Sequence, residues 1–303
     1  MKIGIIGLGK MGGLLALNLI DKKINVVGYN RSPQDTKLLA KKGLIPSYSY
    51  SEFIEKLDST KIIWLMVPAG QAVDSVIDDL LPYLKKGDYV IDGGNSNYLD
   101  SIRRYSMLKK KSINFIDCGT SGGLEGARNG ACLTIGGDYS SFKKLEFLFK
   151  SAASKNGYLY CGKSGAGHYV KTVHNGIEYA MLEAYAEGFE ILSKSDYGFD
   201  LSKISDTWSS SSVIRSWLTE LATRAFKKDP KLSKISPIVG GGETGLWTID
   251  QAKALKLSAP IIQLSIDRRK KTSETKPFSG RVINALRHEF GGHPVDIVSK
   301  NKK

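Results

Sequence analysis

The 303-residue sequence has few cysteines and no apolar run of the roughly 20 residues needed to cross a bilayer. Cys118, Cys132 and Cys161 are widely spaced and form no CxxC pair, which argues against a disulfide framework and a zinc site. The first residues enter a strand pattern broken by glycines, so we expect no signal peptide. These absences favour a reducing, cytoplasmic compartment without a membrane partner.

Acidic residues are in the minority, because 30 Asp and Glu stand against 44 Lys and Arg, a formal net charge of +14. Such a charge favours anionic partners: nucleic acid, acidic membranes or phosphorylated metabolites. The basic runs at 109–111, 268–271 and 300–303 are short and lack interleaved aromatic residues. We therefore predict no nucleic-acid partner.

Short apolar runs alternate with amphipathic stretches in the first half of the chain. The predicted strands are 2–8, 25–30, 61–67, 89–94, 114–119 and 132–137, with 159–162 as one last candidate. Helical patterns occupy 10–21, 33–42, 70–84 and 98–111. Strands without polar alternation are typical of a sheet covered on both faces, hence parallel. The pattern predicts a doubly wound α/β domain over residues 1–163.

Helical periodicity dominates from 164 to 303 and predicts an all-α second domain. One long helix from about 166 to 194 opens this domain. Two glycines and a proline after residue 290 predict a C-terminal tail that leaves the helical core.

A G-x-G-x-x-G motif directly follows the first strand. The first glycine permits a tight turn, the second admits a pyrophosphate beside the backbone, and the third lets the helix pack on the strand. An ordinary turn between a strand and a helix is the alternative. We predict a Rossmann-type dinucleotide site whose contacts in this loop are Gly7, Leu8, Gly9, Lys10, Met11 and Gly12.

The end of the second strand carries Asn30, Arg31 and Ser32, where a cofactor without a 2′-phosphate usually finds an acid. Because Asn30 is neutral and Arg31 is cationic, the sequence favours NADP, with NAD as the alternative. Arg31 would otherwise be a solvated residue at the start of a helix.

Three further loops follow predicted parallel strands: "MVPAG" at 66–70, "DGGNS" at 92–96 and "GTSGG" at 119–123. Gly, Asn and Ser are ordinary turn residues, so one such loop would mean little. Ligands of these sheets bind beyond the carboxyl ends of the strands, so three loops together predict a shared pocket. Val67, Pro68 and Ala69 would then lie along the cofactor.

The helix predicted over 166–194 carries Lys171, His174, Asn175 and Glu178 at spacings that return to one helical face. A solvated face is the alternative. Gly165 and Gly167 at its start permit close backbone approach. Its other sides are apolar and predict a helix buried on several sides, through Tyr169, Val170, Val173, Ile177, Ala180 and Met181. Buried Lys and Glu are costly unless they are paired or used, which indicates a reactive face.

The motifs "GLGKMG", "MVPAG", "DGGNS", "SGG" and "GHYVKTVHNGIEY", with "GLWT" at 245–248 and "RHEFGGH" at 287–293, resemble the short form of the 6-phosphogluconate dehydrogenase family. The resemblance implies oxidative decarboxylation of 6-phosphogluconate to ribulose 5-phosphate and carbon dioxide with NADP or NAD and no metal. Lys171 would be the base that takes the hydroxyl proton and then returns it. Glu178 would protonate the resulting enediol at C1.

The resemblance also implies a set of substrate contacts. Those to the hydroxyls and the carboxylate would be Asn95 (which also lies at the cofactor), Ser121, Gly122, Gly123, His174 and Asn175. Those to the phosphate would be Tyr179, Thr244, Arg268 or equally Arg269, and Arg287 and His293 from the neighbouring subunit of a homodimer or homotetramer. A lysine common in the long enzymes is missing before Thr244, and Lys253 or a second arginine would have to replace it.

Two alternatives remain open. A 3-hydroxyacid dehydrogenase of the 3-hydroxyisobutyrate or tartronate semialdehyde type shares the nucleotide fold, the SGG loop and the helix lysine, but has no need for Glu178. A NADP-sensing or nucleic-acid-binding module would fit the positive charge. It would leave the four polar residues of the helix unexplained.

Overall fold

The structure is a computed structural model that describes residues 1–295. The chain divides into two compact units, Met1–Thr172 and Val173–Lys303. The division falls inside one long helix, a little later than the boundary predicted after residue 163. The last part of the predicted tail, with the basic run at 300–303, lies outside the described residues.

The first unit is built on an eight-stranded sheet with the order β3-β2-β1-β4-β5-β6-β7-β8. Its strands are β1 (Lys2–Ile6), β2 (Asn25–Tyr29), β3 (Ile45–Ser47), β4 (Ile62–Leu65), β5 (Tyr89–Asp92), β6 (Asn114–Ser121), β7 (Ala131–Gly137) and β8 (Ala153–Gly162). The order confirms the doubly wound arrangement, because the chain moves outward from β1 in both directions.

The expectation of a wholly parallel sheet is wrong at one edge. Strands β1 to β6 are parallel to one another, but β7 runs antiparallel to β6. Strand β8 is parallel to β7. Only residues 122–130 join β6 to β7, and a parallel crossover needs about a dozen residues or more. The short connection therefore forces the chain to turn back.

Seven helices of the first unit cover the sheet: α1 (Lys10–Asp21), α2 (Pro33–Ala40), α3 (Tyr50–Glu55), α4 (Gln71–Leu80), α5 (Tyr98–Lys109), α6 (Gly123–Asn129) and α7 (Tyr139–Ala152). The sequence patterns named above did not include β3, α3, α6 or α7. Strand β3 has three residues, one of them Pro46, and lies at the sheet edge, where the missing N–H of proline is tolerated.

Both faces of the sheet are buried, as the apolar strands predict. Ile3, Ile5 and Trp64 belong to one hydrophobic cluster, whereas Ile6 and Ile63 belong to another. Neighbouring strand residues point to opposite faces, so the two clusters are the two layers between sheet and helices. This packing leaves the strand ends and their loops for ligands.

The second unit is helical, as predicted. It contains most of α8 (Ala166–Lys194), then α9 (Leu201–Ser211), α10 (Trp217–Lys228), α11 (Glu243–Ala254), α12 (Pro260–Thr275) and α13 (Phe278–Gly291). Leu182, Ala186 and Phe189 of α8 form its core with Phe226 of α10 and Ile283 of α13. Across residues 1–295, no helix combines the length and the apolar character that a membrane crossing requires.

The expectation that α8 is buried on several sides is wrong. Val170, Ile177 and Met181 are exposed, although their spacing places them on one side of the helix. The core side of α8 is formed by other residues, beginning at Leu182. Periodicity alone does not distinguish an apolar stripe that packs in the core from one that does not.

Candidate active site

The glycine-rich loop after β1 has the geometry that its three glycines predict. Gly7 has a φ of +92°, and a Cβ on Gly12 would lie 1.9 Å from the carbonyl oxygen of Gly7. A Cβ on Gly9 would meet nothing within 4 Å. The backbone at Gly9 is therefore open beside the N-terminus of α1, which begins at Lys10, and this combination fits a diphosphate.

Asn30 links the end of β2 to the glycine-rich loop. Its Oδ1 accepts a hydrogen bond from the N–H of Leu8 at 3.1 Å, and its Nδ2 donates to the Asp35 carboxylate at 3.1 Å. Arg31 and Ser32 follow it and are exposed. The Arg31 cation and the Asp35 carboxylate thus lie close in sequence to the strand end, where the adenosine ribose of a dinucleotide is recognised.

The loops after β4 and β5 differ in exposure. Pro68 and Ala69 are exposed and Val67 is half-buried, so this loop offers mostly backbone and a small apolar surface.

In the loop after β5, the buried Asp92 accepts hydrogen bonds from the Gly94 N–H at 3.2 Å and the Ser96 hydroxyl at 2.8 Å. These bonds shape the turn that carries the exposed Asn95.

The third loop begins at Ser121, the last residue of β6. Gly122 and Gly123 have φ angles of +107° and +59°, in the left-handed region that favours glycine. Thr120 donates a hydrogen bond from its hydroxyl to the carbonyl of Gly93 at 3.3 Å, which joins this loop to the one after β5. The sheet thus brings at least two of the three predicted loops together.

The start of α8 is fixed against the sheet by a buried acid. The Asp117 carboxylate in β6 accepts the N–H groups of Gly165 at 2.7 Å and His168 at 3.0 Å. It therefore satisfies donors that a helix N-terminus leaves unpaired, and its negative charge suits the helix dipole. A Cβ on Gly167 would lie 2.4 Å from the Thr134 carbonyl oxygen, so this glycine permits the close approach.

Lys171 lies one turn further along α8, over the end of β6. A Cβ on Gly119 would lie 2.5 Å from the Cβ of Lys171, so the stem of the lysine passes directly over the Gly119 backbone. Lys171 is half-buried. Its position is therefore defined by the same strand that ends in the Ser121 loop.

The next polar residues of α8 interact locally. The His174 Nδ1 lies 3.2 Å from the Asn175 Oδ1 and 4.0 Å from the Glu178 carboxylate. Asn175 is buried, Glu178 is half-buried and His174 is exposed. Because α8 is one continuous helix, these residues and Lys171 share a side of it, as the spacing predicts.

The second unit contains a polar cluster around Tyr179. Its hydroxyl is 3.0 Å from the Thr244 hydroxyl, and the Arg269 guanidinium lies 3.9 Å from the centre of its ring. A Cβ on Gly245 would lie 2.6 Å from the Tyr179 ring, which explains the glycine of the "GLWT" motif. Arg269 is 3% exposed, and its Nη1 has no hydrogen-bond partner among the described residues.

Arg287 of α13 interacts electrostatically with the cluster around Tyr179. Burial lowers the pKa of its guanidinium, the nearby positive charge of Arg269 lowers that pKa further, and Tyr179 and Glu178 act in the opposite direction. Its Nη1 donates to the Asn284 Oδ1 at 3.2 Å. Within its own chain, Arg287 therefore interacts electrostatically with Tyr179 and Arg269. Its contribution to the site of a neighbouring subunit, which the resemblance implies, stays a prediction.

The two neighbouring arginines of α12 point to different partners. Arg268 donates from Nε to Glu183 at 2.8 Å and forms an ion pair through Nη2 with Glu187 at 2.9 Å. Successive helical residues lie about 100° apart, so Arg269 faces Tyr179 instead.

The remaining predicted phosphate residues, His293 and Lys253, are both exposed. The His293 carbonyl accepts a hydrogen bond from His288 at 2.9 Å.

Two residues that shape this region, Asp117 and Arg104, were not identified from the sequence, and Gly119 was identified only as the first residue of the "GTSGG" loop. Asp117 had a usable signal, because a charged residue inside an apolar strand must be paired. Arg104 is fully buried within α5, a helix whose pattern suggested an amphipathic surface element.

In residues 1–295, no group of three or more His, Cys, Asp and Glu side chains is arranged to hold a metal ion.

Comparisons with known proteins agree with this geometry. The family model described as the NAD binding domain of 6-phosphogluconate dehydrogenase matches residues 2–162. The model described as the 6-phosphogluconate dehydrogenase C-terminal domain matches residues 167–283. Together they span most of the chain.

Individual relatives are similar over nearly their whole length. A Bacillus subtilis relative is 46% identical over 296 residues, 98% of this chain and 99% of its own. A Haloferax volcanii protein named NAD(+)-dependent, decarboxylating 6-phosphogluconate dehydrogenase is 41% identical over 297 residues, 97% of this chain and 98% of its own.

Solved structures give the same fold. Plasmodium falciparum 6-phosphogluconate dehydrogenase aligns with a TM-score of 0.81 and 28% identity, covering 100% of this chain and 67% of the other. Salmonella typhimurium 3-hydroxyisobutyrate dehydrogenase aligns with a TM-score of 0.78 over 93% of this chain and 99% of the other, but at 21% identity this likeness concerns the fold alone. The chain is an oxidoreductase that belongs to the 6-phosphogluconate dehydrogenase family.

Proposed function

We propose that this protein oxidises 6-phosphogluconate with NADP and decarboxylates it to ribulose 5-phosphate. The observation that carries the proposal is the pair of arginines at Tyr179, of which Arg269 is buried and Arg287 is half-buried. Arg269 has a buried nitrogen without a hydrogen-bond partner among the described residues, and burial and the Arg269 charge both lower the pKa of the Arg287 guanidinium. A buried cation and a half-buried cation that disfavour each other's charge are unfavourable without an anion, and a substrate phosphate would supply one.

Four groups would bind the phosphate in this proposal: Arg269, Arg287 and the hydroxyls of Tyr179 and Thr244. The Tyr179 hydroxyl lies 3.0 Å from the Thr244 hydroxyl, so both can donate to neighbouring oxygens of one phosphate. Arg268 is engaged with Glu183 and Glu187, which favours Arg269 as the arginine of α12. In this proposal Arg287, the second arginine of the site, takes the place of the lysine that is missing before Thr244.

Lys171 would begin the chemistry as a neutral amine that takes the proton of the C3 hydroxyl. The bound nicotinamide supplies the hydride acceptor. Oxidation places a ketone β to the carboxylate, and the protonated Lys171 returns its proton toward that oxygen. Carbon dioxide then leaves, and the electron pair of the broken bond enters an enediol.

Glu178 would donate the proton that converts the enediol at C1 to the product. It lies seven positions after Lys171 on α8, on the same side of the helix. His174 and Asn175 stand between them and would hold substrate hydroxyls, with Asn95 and the Ser121 loop holding the carboxylate end. This division of roles gives each polar residue of the helix a task.

NADP is the proposed cofactor, with NAD as the alternative. The exposed Arg31 cation at the end of β2 suits a 2′-phosphate, and the Plasmodium enzyme is described in complex with NADP+. The Haloferax relative is named as NAD(+)-dependent, which keeps the alternative open. We also propose a homodimer or homotetramer, as the family resemblance implies.

A substrate comparison tests the proposal. The ratio kcat/KM is measured with 6-phosphogluconate, gluconate and 3-hydroxyisobutyrate, for the parent protein and for Arg269→Met. We expect the parent to prefer 6-phosphogluconate and the variant to lose that preference over gluconate. A parent that turns over 3-hydroxyisobutyrate best would establish the 3-hydroxyacid alternative instead.

A further inference from the structure

Arg104 of α5 is fully buried, yet it donates hydrogen bonds to groups from several separate segments. Its Nε donates to the Asp74 carboxylate at 2.8 Å, and its Nη2 donates to the Gly70 carbonyl at 2.9 Å. Its Nη1 donates to Asp92 at 3.1 Å and to the Ser96 hydroxyl at 3.3 Å. Every nitrogen of the guanidinium is therefore engaged.

These partners belong to two loops at the carboxyl edge of the sheet. Gly70 ends the loop of 66–70, and Asp74 lies in the first turn of α4, directly after that loop. Asp92 and Ser96 are the first and last residues of the loop 92–96. One planar, rigid group thus fixes the distance between two loops that follow neighbouring strands, β4 and β5.

The surroundings show that this arrangement is tightly defined. The side chains of Arg104 and Asp92 are both 0% exposed, and that of Asp74 is 19% exposed. Burial raises the pKa of the Asp74 carboxyl, but hydrogen bonds from Arg104 and Arg103 outweigh burial and hold that pKa below its ordinary value. Asp74 therefore remains ionised beside the Arg104 guanidinium at neutral pH. We refer to Arg104 with Asp74 and Asp92 as the clamp.

We propose that Arg104 is a positioning residue for hydride transfer, because it holds the loop 66–70 at a fixed distance from the loop that carries Asn95. The proposal depends on the proposed function, in which the first loop lies along the cofactor and Asn95 contacts the substrate. A displacement of about 1 Å between reacting groups can cost on the order of 100-fold in rate.

Arg104→Lys is the direct test, because lysine keeps the buried positive charge but lacks the fork that bonds both loops at once. Three quantities are measured: the Kd for NADP without substrate, kcat, and the kinetic isotope effect with substrate deuterated at the oxidised carbon. We expect kcat to fall at least about tenfold and the isotope effect to rise, because a misplaced hydride acceptor slows that step. A merely structural role would lower the melting temperature without changing the isotope effect.

Asp74→Ala decides the matter if Arg104→Lys does not fold, since it removes the Arg104 bond to α4 directly after the loop 66–70. It thereby loosens that loop, which keeps only the bond at Gly70, and leaves the Arg104–Asp92 pair intact. We expect a Kd for NADP several-fold higher, with an unchanged substrate KM. Arg103→Ala is the matched control, because the exposed Arg103 also bonds Asp74 but reaches neither loop.

Two results would overturn the proposal: a folded Arg104→Lys protein with the kcat and isotope effect of the parent, or an Asp74→Ala protein that binds NADP as the Arg103→Ala control does. The NADP titration needs no substrate. A failure of the clamp is therefore distinguishable from a wrong assignment of 6-phosphogluconate.

Discussion

The Cβ of Lys171 lies so close to the backbone of Gly119 that a methyl group on Gly119 would come within 2.5 Å of it. The strand that ends in the Ser121 loop therefore determines where the proposed base stands. We expect Gly119→Ala to push Lys171 away from the strand end and to lower kcat by on the order of 100-fold. The Kd for the cofactor should change little, because the glycine-rich loop is untouched.

Overpacking at Gly119 also costs stability, about 1–3 kcal/mol, so thermal unfolding is measured alongside turnover. Gly188→Ala is the control, because Gly188 lies on α8, the helix that carries Lys171, a Cβ there meets nothing within 4 Å, and alanine favours a helix. A Gly119→Ala protein that is folded and as active as the control would contradict the placement of the base.

The three glycines after β1 should respond differently to alanine. Gly9 has a φ of −63° and open space around it, so Gly9→Ala should leave the unfolding temperature unchanged. Its methyl group would occupy the space assigned to the diphosphate, and we expect the cofactor Kd to rise about tenfold, equal to roughly 1.4 kcal/mol.

Gly12→Ala should behave in the reverse way, because its Cβ would lie 1.9 Å from the Gly7 carbonyl oxygen. The main loss there is stability, measured by chemical denaturation. Equal losses of stability in the two variants would mean that Gly9 serves packing and not the cofactor.

The two arginines of α12 give a direct contrast. Arg269→Met removes a buried cation from the Tyr179 cluster and should raise the KM for 6-phosphogluconate by about 10- to 100-fold, the worth of a hydrogen bond to a charged group. Arg268→Met leaves the buried Glu183 carboxylate without its cation and should cost stability, but it should leave the KM for 6-phosphogluconate unchanged. Steady-state kinetics with both variants tests the choice. A larger increase of the KM in Arg268→Met than in Arg269→Met would assign the phosphate contact to Arg268.

Arg287 allows a test of whether one chain forms the phosphate site. Arg269→Met and Arg287→Met are purified separately and also produced together in one cell, so that mixed oligomers form. If both arginines serve the same chain, each site in a mixed oligomer lacks one of them, and we expect no recovery of activity. Recovery would show that Arg287 acts across a subunit boundary, as the family resemblance implies.

Much of the fold follows from local patterns. The apolar runs predict the strands of the first unit because a strand buried on both faces carries no polar alternation. The long helix is predicted at 166–194 and observed at Ala166–Lys194. The reversal of β7 was not predicted, because a strand's direction depends on the length of its connection, here residues 122–130, and not on its own residues.

The candidate site is only partly predictable. The glycine-rich loop and the polar side of α8 follow from spacing, because both are local and periodic. The choice between Arg268 and Arg269 depends on the rotation of α12 against Tyr179, which sequence spacing does not determine. Arg104 illustrates the same limit, since its partners lie as far as 34 residues away in the chain.

The most direct test of the account is the ratio of carbon dioxide released to NADPH formed when the purified protein acts on 6-phosphogluconate labelled at C1. The account predicts one carbon dioxide for each NADPH, with ribulose 5-phosphate as the product. NADPH formed without release of labelled carbon dioxide would contradict it, because the roles proposed for Lys171 and Glu178 after hydride transfer would then have no reaction to serve.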